Sequence, residues 1–287
     1  MAEYNTVAIV GVGLIGGSIG LALRERKLAR KIVGVGRRQN SLDAARKIGA
    51  IDHGVTNLTA GVADAQLVIV STPVDLVAER VIQTVAAAPP GAVITDVGSA
   101  KESIVSVVDA ALATRRSGPR FVGSHPLAGD HRTGAEHARP DMFDGRIVVV
   151  TPSDATRPAT VTEISGFWQS LGASLVTMTP AKHDAALAIT SHLPHVAAVA
   201  LAAATPSELL RLTASGWRDT TRVAGADPKL WQAIFSANRQ HVLDAIDLMS
   251  DMLGSFREAL ELGDQESLTS MLQVAANKKR ERDALGD

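Results

Sequence analysis

The chain has 287 residues, 46% of them apolar and 21% charged, enough to build a core in one large domain or two ordinary ones. Its formal net charge of −1 gives no electrostatic case for nucleic acid or an anionic membrane as a partner. It has no cysteine, which excludes disulfides, thiolate nucleophiles and cysteine-held metals and suits a reducing, cytoplasmic setting.

Strand-like sequence begins almost at once, without a signal-peptide pattern, and the longest apolar run, residues 196–204, is too short to span a bilayer. Residues 6–10, Thr6 followed by four apolar residues, predict a buried strand. Residues 14–26 carry apolar positions three and four apart and predict a helix. Between them lies Gly11-Val12-Gly13-Leu14-Ile15-Gly16. Gly11 permits a tight turn, Gly13 lets the backbone approach a pyrophosphate, and Gly16 lets helix and strand pack closely. The helix start, Leu14 and Ile15 included, then offers free N–H groups to phosphates.

A second strand is predicted at 31–35 and a helix at 41–48, capped by Asn40 or Ser41. The strand runs into Gly36-Arg37-Arg38, where an NAD site usually places an acid for the ribose 2′-hydroxyl. Two guanidinium groups would instead bind a 2′-phosphate by bidentate hydrogen bonds, so NADP is favoured, with NAD the alternative. Strands at 67–72, 92–95 and 120–123 alternate with helices at 76–87 and 100–113, with a Pro89-Pro90-Gly91 turn between. Continuous apolar runs of this kind are parallel strands covered on both faces. The expected class is α/β: an N-terminal Rossmann-type dinucleotide-binding domain with a mostly parallel sheet.

Next comes Gly123-Ser124-His125-Pro126-Leu127-Ala128-Gly129. This placement puts His125 at the carboxyl end of a strand of the nucleotide sheet, the edge where such sheets bind ligands. Imidazole titrates near neutrality, so His125 is the candidate acceptor for a hydroxyl proton during hydride transfer. Residues 130–144 read as a loop over that site. Strands at 146–151 and 174–177 flank a helix at 161–171. From Pro180 strand signals vanish, and helices are predicted at 182–204, 207–215, 228–262 and 265–282. The expected division is therefore 1–180 for the dinucleotide and 181–287 as an all-α domain for substrate and dimerisation. Its small residues suit close packing, across a homodimer interface or against the first domain. The 278–282 run of charges reads as a solvated helix end. His125, His131 and His137, spaced by six, match no compact ligand motif, and no metal is expected.

Taken with the glycine loop, five further motifs resemble the prephenate/arogenate dehydrogenase family of tyrosine biosynthesis over nearly the whole chain. They are Ser71-Thr72-Pro73-Val74, Asp96-Val97-Gly98-Ser99-Ala100-Lys101, residues 123–129, Ser191-His192-Leu193-Pro194-His195, and Thr221-Arg222-Val223-Ala224 with Asp227-Pro228 and Trp231. The resemblance implies an oxidative decarboxylation in which hydride leaves the ring carbon bearing the 4-hydroxyl while the ring carboxylate departs as carbon dioxide. It implies that Thr72, Pro73 and Val74 border the cofactor and that His125 accepts the hydroxyl proton. Ser99 would hydrogen-bond the same region and the nicotinamide, and Arg222 would grip a substrate carboxylate. His195, Ser191, Ser124 and Lys101 would line the substrate pocket, and Trp231 would pack Arg222 or the interdomain core. Many family members carry an acid two positions after Gly129, where this chain has His131, so prephenate and arogenate both stay open as substrate. Two rival readings are a β-hydroxyacid dehydrogenase, whose lysine would have to be Lys182, and a non-catalytic NADP(H) sensor.

Overall fold

The structure, a computed structural model, describes residues 3–113, 117–129, 132–284 and 286. Six strands form one parallel sheet: β1 (Tyr4–Val10), β2 (Ala29–Val35), β3 (His53–Val55), β4 (Leu67–Val70), β5 (Val93–Asp96) and β6 (Arg120–Phe121). Their order is β3-β2-β1-β4-β5-β6. The order reverses between β1 and β4, so a crevice opens at their carboxyl ends, the usual ligand position in doubly wound sheets. The central strands are apolar throughout because both faces are covered. On one face Ile9, Ile69 and Val93 join Ile19 and Leu23 of α1 (Leu14–Glu25) and Phe167 and Trp168 of α6 (Pro158–Ser170). On the other, Val10, Val68 and Ile94 meet Val77 and Val81 of α4 (Val77–Ala87) and Ile104 of α5 (Glu102–Leu112).

Several boundaries depart from expectation. The helix after β2, α2 (Gln39–Lys47), starts before both proposed caps, and its flanking Arg38 gives no side-chain cap. The three-residue edge strand β3 and the short α3 (Leu58–Val62) were not expected at all. The stretch 120–123 is not one strand. The parallel sheet ends at Phe121, and β7 (Gly123–Pro126) pairs antiparallel with β8 (Ile147–Thr151), which in turn runs parallel to β9 (Ser174–Thr177). His125 therefore lies inside a strand of a second sheet, opposite Val149, rather than at the end of a strand of the first. Glycine at 123 permits this: a Cβ there would sit 2.6 Å from Thr151 Oγ1. Side chains tie the sheets together at the crossing. Thr95 Oγ1 donates to the Val122 carbonyl at 2.8 Å, and Ser124 Oγ donates to the Asp96 carbonyl at 2.6 Å.

The segment expected to cover the site instead packs beside α1. Ala135, Met142 and Phe143 enter the core, and Arg139 N donates to Ser18 Oγ at 3.0 Å. Asp130 and His131 lie outside the described residues.

The helical part begins with α7 (Pro180–Leu187), entered through Thr179, whose side chain accepts from Lys182 N. A π-helical turn, Ala188–His192, joins it to α8 (Leu193–Ala204). Pro194 cannot donate to the preceding turn, and the wider π-turn absorbs that missing bond. The 25-residue run Pro180–Ala204 is long and apolar enough to cross a membrane by length and composition. Its buried His183, Asp184 and His192 belong instead to a polar network that reaches Lys101, His125 and Asn238. Next come α9 (Ser215–Thr221), a 3-10 turn Arg222–Gly225, and α10 (Pro228–Ala237), capped by Asp227 on Lys229 N at 2.9 Å. The predicted helix 228–262 breaks at Asn238, which has φ −118° and ψ 35°, before α11 (Arg239–Leu262). Residues through Arg239 make one compact unit, and Gln240–Asp287 make another. In the latter, α11 turns at Gly263, with φ +66°, into α12 (Gln265–Ala284), and Asp264 caps Ser267 N at 3.0 Å.

Candidate active site

The loops 11–13, 36–38, 71–73 and 97–101 leave the carboxyl ends of β1, β2, β4 and β5 on one edge of the sheet. Gly11 adopts φ +98°, and a Cβ there would strike the Ser71 carbonyl; one on Gly16 would strike the Gly11 carbonyl. Gly13 is the opposite case. It is exposed, and a Cβ would meet nothing within 4 Å, so open space lies before the N-terminus of α1. Among the described residues no side chain caps that terminus, where Leu14 is buried and Ile15 half-buried. Beside the opening, Thr72 Oγ1 is buried without a hydrogen-bond partner, Pro73 is exposed, and Val74 is held in the core. An uncapped helix start, an orphaned hydroxyl and clear space together fit the pyrophosphate of a dinucleotide. Arg37 and Arg38 are both exposed just past β2.

His125 is half-buried and belongs to a chain of hydrogen bonds. Its Nδ1 lies 2.8 Å from His183 Nε2, and His183 Nδ1 lies 2.7 Å from Asp184 Oδ1. Asp184 in turn accepts from Lys101 N at 2.8 Å and Glu102 N at 2.9 Å, so a carboxylate on α7 caps α5 from outside that helix. Asn238 Nδ2 donates to the Asp184 carbonyl at 2.8 Å and reaches His192 Nδ1 at 3.1 Å.

Two expected pocket residues take other positions. Lys101 is fully buried: its ammonium pairs with Asp96 and donates to the Ser124 carbonyl at 3.1 Å, leaving it no surface for substrate. Ser124 is equally buried, accepting from Trp168 Nε1 at 3.0 Å while bonding the Asp96 carbonyl. Both support the crossing between sheets, because a buried charge or hydroxyl is stable only with its partners in place.

Burial pushes His125 well below the ordinary imidazole value of 6.5, and the Lys101 ammonium presses the same way. A neutral imidazole is the state a proton acceptor needs. Desolvation also lowers His195 and takes His192 to about 4, against the attraction of Asp184. His195, on α8, stacks on Trp231 of α10 with ring centroids 3.6 Å apart, and its Nδ1 is buried without a partner. Trp231 thus packs against His195, and α10 lays Ile234 into the same core as Val74 of the nucleotide edge. Arg222 is exposed at the head of the Arg222–Gly225 turn, which packs on α8. Ser191 is half-buried in the π-turn, and Ser99 is half-buried in the loop after β5. The residues not anticipated are His183, Asp184 and Asn238. The signal for the first two was a His-Asp pair one turn into a helix opened by Thr179-Pro180.

Two family models divide the chain. Residues 19–177 match the nucleotide-binding domain of prephenate dehydrogenase, and residues 179–274 match its dimerization domain. The chain belongs to the prephenate dehydrogenase family. It is 33% identical to the prephenate dehydrogenase of Bacillus subtilis, covering 94% of this chain and 74% of that protein. It is 31% identical to the cyclohexadienyl dehydrogenase of Zymomonas mobilis, covering 93% and 92%. Among solved structures, it matches prephenate dehydrogenase from A. aeolicus in complex with hydroxyphenyl propionate and NAD+, with TM-score 0.88 and 30% identity over 96% of this chain and 98% of that one. A Synechocystis arogenate dehydrogenase matches with TM-score 0.84 and 27% identity, over 96% and 99%. Family membership makes the chain a pyridine-nucleotide dehydrogenase of the Rossmann class, with which the glycine loop and sheet order agree.

Proposed function

We propose that this chain is a prephenate dehydrogenase, oxidising and decarboxylating prephenate to 4-hydroxyphenylpyruvate with NADP preferred over NAD. The observation that carries this reading is His125: a neutral, half-buried imidazole beside the carboxyl edge of a nucleotide-binding sheet, in a chain of this family. Bound nicotinamide supplies the hydride acceptor. His125 takes the 4-hydroxyl proton, and Ser99 orients the same hydroxyl. Arg222 grips a carboxylate of the dianionic substrate, for which a planar guanidinium is suited. His195, held flat on Trp231 with an unpartnered Nδ1, and Ser191 border the substrate. The glycine loop with Leu14, Ile15, Thr72, Pro73 and Val74 carries the dinucleotide, and Arg37 and Arg38 carry its 2′-phosphate. Arogenate is the second reading, favoured by the likeness to cyclohexadienyl and arogenate dehydrogenases.

The division of labour runs 1–180 for the nucleotide and 181–287 for substrate and for homodimer formation, in the cytoplasm. The meeting of the two family models between 177 and 179 supports it. Steady-state assays with prephenate and arogenate, each with NADP and NAD, test the substrate and cofactor assignments together. His125→Ala is expected to lower kcat by about 10²–10⁴-fold while cofactor affinity, read by calorimetry, stays unchanged. Near-normal turnover in that variant would remove the base assignment.

A further inference from the structure

We infer that His183 and Asp184 are positioning residues that fix the tautomer of His125, leaving its Nε2 bare and pointed to work as the proton acceptor. The inference rests on His125 being the base proposed above, and it goes beyond that assignment.

The argument is one of donors and acceptors. Asp184 receives two backbone N–H groups from the start of α5, at 2.8 and 2.9 Å, which suits an ionised, acceptor-only carboxylate. Its neighbour His183 must then present Nδ1 as the N–H donor across their 2.7 Å contact. In a neutral imidazole the other nitrogen is an acceptor, so His183 Nε2 carries a lone pair. The 2.8 Å contact between His183 Nε2 and His125 Nδ1 is satisfied only if His125 Nδ1 carries the proton. That leaves His125 Nε2 unprotonated. The carboxylate thus sets the state of the base two rings away. When His125 gains a proton, its Nδ1–H already points at an acceptor, so the imidazolium forms with its hydrogen bond in place. The same logic governs the aspartate of a serine protease triad, where a wrong tautomer costs about 10⁴ in kcat with geometry intact.

The surroundings keep this arrangement rigid. His183 and Asp184 are essentially without solvent exposure, and Asn238 Nδ2 holds the Asp184 backbone from the end of α10 at 2.8 Å. His125 and His183 meet edge to face, their planes at 69° and centroids 5.1 Å apart.

Nitrogen-15 NMR of the whole, histidine-labelled protein tests the assignment without any turnover. His125, identified by the signal lost in His125→Ala, is expected to show a protonated Nδ1 and a bare Nε2. A protonated Nε2 with a bare Nδ1 would overturn the inference. Kinetics give a second arm. His183→Leu, which has no acceptor, is expected to reduce kcat on the order of 10²-fold or more, with KM changed far less. His183→Gln, whose carbonyl oxygen can accept from His125 Nδ1, is expected to recover at least about tenfold of that loss. Equal kcat in the Leu, Gln and wild-type chains would overturn it too. If the Leu variant fails to fold, the wild-type spectrum still decides. A chain inactive on both substrates but showing the expected tautomer would sink the proposed function while leaving the geometry of the relay standing.

Discussion

Burial is the main cause that keeps a proton off His125, and the Lys101 ammonium at the start of α5 acts the same way, while His183 from α7 and His192 from the π-turn also face it. Asp184 also lies close, but its carboxylate is spent on His183 and on the two N–H groups of α5. A group whose value falls below 6.5 stays neutral to more acid pH, so the base remains competent there. The acid limb of kcat/KM, which reports the free enzyme's base, is therefore expected to lie below 6.5, with activity level from alkaline pH down through that point. A limb at or above 6.5 would show that His125 is solvated, or is not the base. Legibility differed sharply at this scale. His125 stood out because glycine and proline bracket it after an apolar run. Lys101 and Ser124 misled because their motif places them near the site in sequence, whereas a buried ion pair and a saturated hydroxyl depend on partners from β5 and α6. The His183-Asp184 pair was missed because the groups it serves, His125 and the start of α5, lie 58 to 83 residues away in sequence.

At the scale of elements, the glycine loop was legible because each glycine answers a specific steric demand: a positive φ at Gly11, open space at Gly13, close packing at Gly16. The second sheet was not. Residues 120–123 read as one strand with His125 just past its end, and only the antiparallel bonding to β8 shows that the chain changes sheets at Val122. Likewise β3, three residues including His53 and Gly54, has too little pattern to read, and forms only because β2 offers it an edge. The turn after β2 carries the cofactor prediction. Arg37→Ala with Arg38→Ala is expected to raise KM for NADP about tenfold or more while changing KM for NAD little, since charge-assisted bonds to a phosphate are among the stronger polar contacts. Parallel changes in both constants would mean that these arginines do not read the 2′-phosphate.

For the whole molecule, the C-terminal unit is notable for what it leaves uncovered. Leu248, Leu253, Leu260 and Leu262 on α11 are 52, 59, 66 and 74% exposed, Leu272 on α12 is 60% exposed, and α12 has no buried residue among those described. Exposed apolar side chains in such number suit an interaction face, Leu253 and Leu260 falling on the same side of α11, and the family model over 179–274 is that of a dimerization domain. Leu253→Glu combined with Leu260→Glu is expected to convert a dimer into a monomer by analytical ultracentrifugation. An unchanged sedimentation coefficient would place the interface elsewhere.

The imidazole rides on β7 of the small mixed sheet, while the arginine turn proposed to read the 2′-phosphate follows β2 of the large parallel one. On the proposed roles, choice of coenzyme and proton chemistry belong to different scaffolds. Natural selection, or a protein engineer, can retune the first by altering one surface turn without re-aiming the second.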